Sequence, residues 1–477
     1  MDIFQLVEAW KQERVSTMMT MMGGEKDDNY KNDPFFGGEE EAKEGQMQGG
    51  GARARARAPK QKKIHLINQG AYGCFYYPGL SCRGKIVRGN FGIKIHFQDE
   101  TSQNEWDISQ RIRTKIPGYA KFFAPLLQQC PVASDTYGNA LSQCDVYNKY
   151  KKRHAAVDMA AASASASSSS TTMKPLLSSK IRYVGKSNIK EYLMRLLSSL
   201  SSSKDTNVKD TKTIASLRRG FRRMVQTQRY AFRGLLALQK QDIVHYDIRN
   251  NNIMYDDKLE NPVFIDFGLS IPVAKLSAQT YADFFYRFDF DVYLYWCFDI
   301  YLLNFISQKV DHPETTQITA AILFDRLLEA FLFRVPAVDD ESAAASTSFE
   351  QRLSGPPLTF QEPNDLFQVQ IIANPMHEFR EKWKTYLRPF VGKSWEALRQ
   401  HLLRFWKTWD TYSLCVVYFF ILEEWFTTKH SVYKTVYQTM QQPLTKYVEF
   451  LSTNIYGIPT ERFSVDDCIQ SLQTIFL

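Results

Sequence analysis

The pattern of apolar and polar positions divides the chain into a tail, a β-rich front and a helical back. Residues 1–60 sustain no apolar period. Past about residue 18, glycine, methionine and charge dominate, which predicts a disordered tail. At Ile64 the character changes. "KIHLINQGAYGCFYYPGL" and "GKIVRGNFGIKIHF" are β-type runs punctuated by glycine and predict an antiparallel sheet. "NEWDISQRIRTKI" (104–116) predicts a helix, with Trp106, Ile108, Ile112 and Ile116 on one side. "YAKFFAPLLQQCPVA" returns toward strand, and "KPLLSSKIRYVG" is a further strand. Between them "AAVDMAAASASASSSSTT" (155–172) offers nothing to bury, so a flexible insertion is expected over 149–173. Residues 214–240 predict a long helix whose apolar members include Leu217, Phe221, Met224, Leu235 and Leu238.

The second half reads as helix after helix. "DVYLYWCFDIYLLNFI", "QITAAILFDRLLEAFLF", "PMHEFREKWKTYL", "SWEALRQHLLRFWKTW" and "DTYSLCVVYFFILEEWF" each have helical length and spacing. A polar, proline-containing stretch at 337–365 interrupts them. Strands first and helices afterwards predict an α+β chain with two lobes.

Composition changes this picture only in places. The 33 Phe and 25 Tyr among 477 residues supply bulk for a substantial core. Seven cysteines with no CxxC pair and no regular spacing predict reduced thiols and a cytoplasmic compartment. The N-terminus lacks the basic-then-apolar layout of a signal peptide. The longest apolar run, "YSLCVVYFFIL" (412–422), is shorter than the roughly 20 residues of a membrane span and reads as a buried helix. The net charge of +8 is uneven: 38–44 are acidic, while 53–63 read "RARARAPKQKK". That basic run is a solvated linker or a weak nucleic-acid contact.

The chemistry concentrates in "IVHYDIRNNNIMYDDKLENPVFIDFGLS" (243–270). Asp247 and Asn252 lie within one tight loop, and Asp266 ends a strand-like run, so the three can converge on one cleft. Hard cations such as Mg²⁺ take oxygen ligands and commonly reach phosphates through one or two carboxylates. Metal-assisted phosphoryl transfer needs little beyond a metal clamp, a group orienting the nucleophile and a phosphate cradle. Two β-turns built on Asn and Asp would explain either cluster alone. They do not explain the joint pattern His-x-Asp, Asn five residues on, and then apolar-Asp-Phe-Gly.

His245-Tyr246-Asp247-Ile248-Arg249-Asn250-Asn251-Asn252, followed by Asp266-Phe267-Gly268, resembles the catalytic loop and metal-binding motif of the eukaryotic-type protein kinases. The resemblance implies a two-lobed protein-kinase-like fold, with an antiparallel β-sheet N-lobe over 61–185 and a mostly helical C-lobe over 186–477. It also implies a large helical insertion at about 305–400. By the same resemblance Asp247 accepts the proton of the substrate hydroxyl, Arg249 faces the γ-phosphate, and Asn252 and Asp266 hold Mg²⁺ on ATP. Gly70 and Gly73, with Phe75 after them, stand where the family has its phosphate-covering loop; Asn68 replaces its first glycine. Lys94, ending "FGIK", stands at the phosphate-pairing lysine. Glu105 is its expected helix partner, with Glu100 as second candidate. Tyr183-Val184-Gly185 falls where the adenine-contacting hinge belongs. In "WDTYSL", Asp410 matches the aspartate that anchors the catalytic loop, and Asp299 is expected to pair with Arg462. The glycine loop, the catalytic loop and "WDTYSL" look most like the divergent Ser/Thr kinases of large nucleocytoplasmic DNA viruses, which would place the protein in host cytoplasm or virion.

The departures carry their own expectations. Tyr246 replaces an arginine that pairs with a phosphorylated activation loop, and a phenol cannot make that bidentate pair. Activity independent of activation-loop phosphorylation is therefore expected. Arg249 stands where Ser/Thr kinases carry lysine. The function implied is an ATP- and Mg²⁺-dependent kinase acting on Ser/Thr hydroxyls of protein substrates. The alternatives are a pseudokinase scaffold, a small-molecule phosphotransferase sharing the His-x-Asp…Asn loop, and a nucleic-acid-associated virion protein resting on 53–63 alone.

Overall fold

The computed structural model describes residues 64–70, 73–87, 89–132, 141–152, 175–199, 211–287, 293–332, 375–428 and 430–476. The tail expected over 1–60 and the polar stretch at 337–365 lie outside the described residues.

Five strands open the fold: β1 (His65–Gly70), β2 (Gly73–Tyr77), β3 (Phe91–Phe97), β4 (Leu126–Pro131) and β5 (Leu176–Arg182). They form one antiparallel sheet in the order β1-β2-β3-β5-β4. The two-residue period of a strand sorts its side chains onto two faces. Cys74, Tyr76, Ile93 and Ile95 point to one face and are buried with Leu141, Val146 and Tyr147. Phe75 and Lys94 are cross-strand partners and share the other face.

Between β3 and β4 lies helix α1 (Glu100–Lys115). Asp99 caps it: the Ser102 amide donates to Asp99 Oδ1 at 2.8 Å, and the Asp99 amide donates to Ser102 Oγ at 2.9 Å. This box satisfies amide donors that the first turn leaves without partners. It also starts the helix four residues before the apolar period predicts, so Glu105 lies in its second turn. A helix over 145–152, α2, runs into the segment expected as low-complexity insertion and supplies buried Val146 and Tyr147; residues 153–174 lie outside the described residues.

Four cysteines overturn the expectation of reduced thiols. Cys74–Cys144 and Cys82–Cys130 are disulfides, with Cα–Cα separations of 5.8 and 5.9 Å. Their sequence separations, 70 and 48 residues, carry no motif. The pairing follows from sheet packing, which no linear spacing reveals. Cys297, Cys415 and Cys468 are free and buried.

The helical region begins with α3 (Ile189–Ser199) and the 29-residue α4 (Thr211–Gln239). Short strands follow: β6 (Ile243–Val244), β7 (Ile253–Asp256), β8 (Asn261–Phe264) and β9 (Ile271–Pro272). They pair as β6-β9 and β7-β8. Then come α5 (Phe298–Lys309), α6 (Pro375–Leu387), α7 (Trp395–Leu403), α8 (Trp409–Thr428), α9 (His430–Tyr456) and α10 (Val465–Thr474). The helix predicted from Asp291 starts only at Phe298, because Tyr293–Cys297 turn toward the catalytic-loop segment instead. The helix predicted over 317–333 is a π-helical stretch, Ala321–Leu328, continued as an α-turn to Leu332. Met440 breaks helical geometry inside α9, three residues before Pro443, whose ring and missing N–H disfavour a straight helix.

Two cores hold this region. One joins Ile108, Ile112 and Ile116 of α1 to Phe221, Phe232 and Leu235 of α4 and to Val417, Tyr418 and Ile421 of α8. Phe264 and Phe267 are buried in the same cluster, so the segment carrying Asp266 is anchored from both sides. The second gathers Phe298, Leu302, Leu327, Trp383, Trp395 and Trp409 around Tyr246. Residues expected as an insertion therefore share a core with Tyr246. Each fully buried Leu or Phe contributes about 1.5–3 kcal/mol relative to exposure. Helix α8 is buried on nearly all sides along 410–419, which explains its unbroken apolar run. Among the described residues no helix is long and apolar enough to cross a membrane.

Candidate active site

Lys94 is the centre of the site. β3 places it facing the helical region, where Nζ donates to Glu105 Oε2 at 2.9 Å and to Asp266 Oδ1 at 3.0 Å. Residues 94, 105 and 266 thus meet at one point. Glu100 is exposed and takes no part. Burial opposes the Lys94 charge, but Asp266 and Glu105 outweigh it and hold its pKa above the ordinary lysine value. For Glu105 burial dominates and raises the carboxyl pKa, with Lys94 opposing. For Asp266 burial also raises, but Lys94 outweighs it and the pKa ends below the ordinary aspartate value. Asp266 keeps 37% of its side chain exposed, against 4% for Glu105. The first is an ion pair open to a ligand; the second is a buried prop. Asn104 Nδ2 ties α1 to the chain after Asp266, donating to Gly268 O at 3.1 Å and Ser270 O at 2.8 Å.

The segment from His245 to Asn252 is fixed from below. Asp410, buried at the start of α8, accepts from the amides of His245 at 2.7 Å and Tyr246 at 3.0 Å. This is the contact that "WDTYSL" predicts. Trp296 Nε1 donates to Tyr246 O at 2.8 Å. These bonds hold Tyr246 at φ 69°, a left-handed value uncommon for a bulky residue, and Asp266 has φ 60°. Two of the five non-glycine residues with positive φ among the described residues thus flank the site. His245 Nε2 donates to Ile265 O at 3.1 Å and joins the two motifs directly. The Ile265 amide, in turn, donates to Asn252 O at 3.0 Å.

Asp247 and Asn252 meet as the spacing predicts. Asn252 Nδ2 donates to Asp247 Oδ2 at 2.7 Å and to its backbone O at 2.9 Å. Arg249 Nε lies 3.7 Å from Asp247 Oδ2. Asp247 Oδ1 accepts from the Tyr293 hydroxyl at 2.6 Å. Tyr293 was invisible to motif reading, since no spacing signal connects it to Asp247. Tyr246 is buried, accepts from Asn304 Nδ2 at 2.8 Å and packs on Trp296. Asp299 and Arg462 form the expected pair, both fully buried.

Gly70 and Gly73 are partners across the β1–β2 hairpin, whose two connecting residues lie outside the described residues. A Cβ on Gly73 would sit 2.6 Å from Ile95 O, so the close approach of β2 to β3 itself requires glycine there. Phe75 shows a similar fit. A Cβ on Gly92 would lie 2.3 Å from Phe75 Cζ, so the glycine in "FGIK" makes room for that ring. Phe75 joins Val184, Met254, Ile265 and Ala124 in a small apolar cluster between sheet and helical region. Alternation along β7 and β8 was the only available signal for Met254 and Ile265. Tyr183 is placed at the end of β5, stacked on Tyr77 at 4.1 Å. Its backbone is already taken: its amide donates to Asn90 O at 2.9 Å, and its carbonyl accepts from Asn90 Nδ2 at 2.6 Å. A Cβ on Gly185 would sit 2.6 Å from Tyr255 O, so glycine lets the chain pass over β7.

Among the described residues no group of three or more His, Cys, Asp or Glu side chains could hold a metal unaided. Mg²⁺ that arrives with phosphates needs only one or two carboxylates, and Asp266, which keeps part of its side chain exposed, suits that requirement.

No protein-family model and no curated protein matches this sequence. Among solved structures, the chain is similar to one described as a crystal structure of a Stt7 homolog from Micromonas algae soaked with ATP. Identity is 11%, covering 89% of this chain and 96% of that one, with a TM-score of 0.36, too weak a likeness to carry any inference. None of these comparisons supports the likeness to viral kinases. The chain itself shows an antiparallel five-stranded sheet followed by a mostly helical region.

Proposed function

We propose that this chain is an ATP-dependent protein kinase. The observation that carries the reading is the convergence of Lys94, Glu105 and Asp266 within 3.0 Å, next to Asp247 locked to Asn252. Glu105 aims Lys94, and Lys94 pairs with the phosphates of the nucleotide. Asp266 and Asn252 would hold Mg²⁺, which supplies charge neutralisation on the phosphates. Asp247 accepts the proton of the attacking hydroxyl, and Arg249 beside it faces the transferred group. Gly70, Gly73 and Phe75 cover the nucleotide from the sheet. Tyr183-Val184-Gly185 forms the strip beside the base. The lobes divide near residue 185, and the substrates are Ser/Thr hydroxyls of proteins.

The competing scaffold reading leaves the Lys94 triad without a purpose. A test is incorporation of labelled phosphate from ATP with Mg²⁺, into the chain itself and into an acidic, basic and proline-directed peptide panel. Asp247→Ala should lower incorporation by about 10²–10⁴-fold, the usual worth of a positioned proton acceptor. Equal labelling of variant and wild type would remove the kinase reading.

A further inference from the structure

The contact between Tyr293 and Asp247 is not used by the mechanism above. The phenol is its donor, because an ionised carboxylate can only accept. Burial, then the neighbouring Asp247, pushes the Tyr293 pKa far above the ordinary tyrosine value, so the hydroxyl keeps its proton. The O···O distance of 2.6 Å is within the range a base needs to take that proton. The other carboxylate oxygen is bound by Asn252, so the Asp247 side chain is held from both ends.

The phenol is also held in place. Its ring packs against Tyr295 at 5.4 Å and Trp296 at 5.1 Å, and Trp296 is pinned to Tyr246 O. The hydroxyl is therefore presented to Asp247 by a braced segment.

We infer that Tyr293 is an intramolecular phosphoacceptor. This rests on the reading of Asp247 as proton acceptor and of the chain as an ATP-dependent kinase. Asp247 takes the Oη proton, Oη bonds to the terminal phosphorus of the nucleoside triphosphate, the bond to the bridging oxygen breaks, and the diphosphate leaves. The product is phosphotyrosine at 293. The space before Asp247 thus admits a phenol as well as the short hydroxyls of Ser and Thr. The new group carries a charge of about −1.5 to −2 and is repelled by the Asp247 carboxylate.

Two measurements test this on the full chain. First, 3-fluorotyrosine is placed at 293 without nucleotide. Its ¹⁹F resonance should shift on Asp247→Asn, and an unmoved resonance would overturn the inference. Second, the chain is incubated with ATP and Mg²⁺ and phosphopeptides are mapped by mass. Phosphate should appear on Tyr293 with a rate constant unchanged over a 100-fold range of protein concentration, and should be absent in Asp247→Asn. Phosphate on other residues or on added peptides, with none on Tyr293, overturns the inference and leaves the kinase reading standing. A rate that scales with protein concentration overturns the intramolecular step. No ATP-dependent phosphate anywhere overturns both.

Discussion

Arg462→Met should destabilise the chain by about 3–5 kcal/mol, because it removes one partner of a buried ion pair and leaves the Asp299 carboxyl without it in the core. The two side chains are 1% and 0% exposed and 163 residues apart, so water cannot replace the lost partner. Against a typical stability of about 5–15 kcal/mol, that is a third or more of the total. The pair is also imperfectly satisfied: Asp299 Oδ2 and Arg462 Nε and Nη1 have no hydrogen-bond partner. Replacing both residues by apolar ones of similar volume, Asp299→Leu with Arg462→Met, should therefore cost less than the single change. Urea unfolding followed by tryptophan fluorescence reads both variants, with Trp296 three residues from Asp299. With a slope of at least about 3 kcal/mol/M, the single variant should lower the midpoint by on the order of 1 M. A loss under about 1 kcal/mol, or a double variant as unstable as the sum of both singles, would refute the reasoning. The consequence reaches the site, since Trp296 and Tyr293 precede Asp299 and brace Tyr246 and Asp247.

Gly92→Ala should cost about 1–3 kcal/mol by overpacking against Phe75, and Phe75→Val should relieve part of it; the Tyr76 carbonyl, 2.8 Å from the added Cβ, keeps the relief incomplete. Thermal unfolding of the two singles and the double measures that coupling, and strict additivity would disprove the fit. Native alkylation without reductant should label no cysteine, since Cys297, Cys415 and Cys468 are buried and burial pushes the Cys297 thiol up to about 12. Denaturation should expose these three, reductant should expose all seven, and mass spectrometry counts them. Opening either disulfide should cost about 4 kcal/mol from the loop it closes. Acidification should weaken nucleotide binding in two steps. Burial raises the Glu105 pKa, so as pH falls its carboxylate is lost first. The Asp266 pair with Lys94, whose carboxyl pKa is lowered, survives to lower pH. Nucleotide-dependent melting shifts against pH should lose the first step in Glu105→Gln. Phosphatase treatment should leave activity intact, because buried Tyr246 holds its segment through Asn304 and Trp296; activity abolished by phosphatase and restored by phosphate between Leu269 and Asp283 would contradict this.

The sequence by itself determined whatever depends on near neighbours. Glycine-punctuated β-type runs specified β2 and β3, apolar spacing over helical lengths specified α4 and α8, and the five-residue separation of Asp247 and Asn252 fixed a hydrogen-bonded loop. Such features are legible because a strand or a tight turn allows few geometries. Tertiary structure decided the rest. It chose Glu105 over Glu100 as the partner of Lys94 and set Asp266 on that lysine from 172 residues away. It joined Cys74 to Cys144 and Cys82 to Cys130, against the reading from spacing. It delayed the start of the predicted helix to Phe298, leaving Tyr293 outside it and in reach of Asp247. These contacts arise from how sheet and helices pack to bury their apolar faces. Periodicity says which face of an element is buried, but only the packed core says which distant side chain lies across from it.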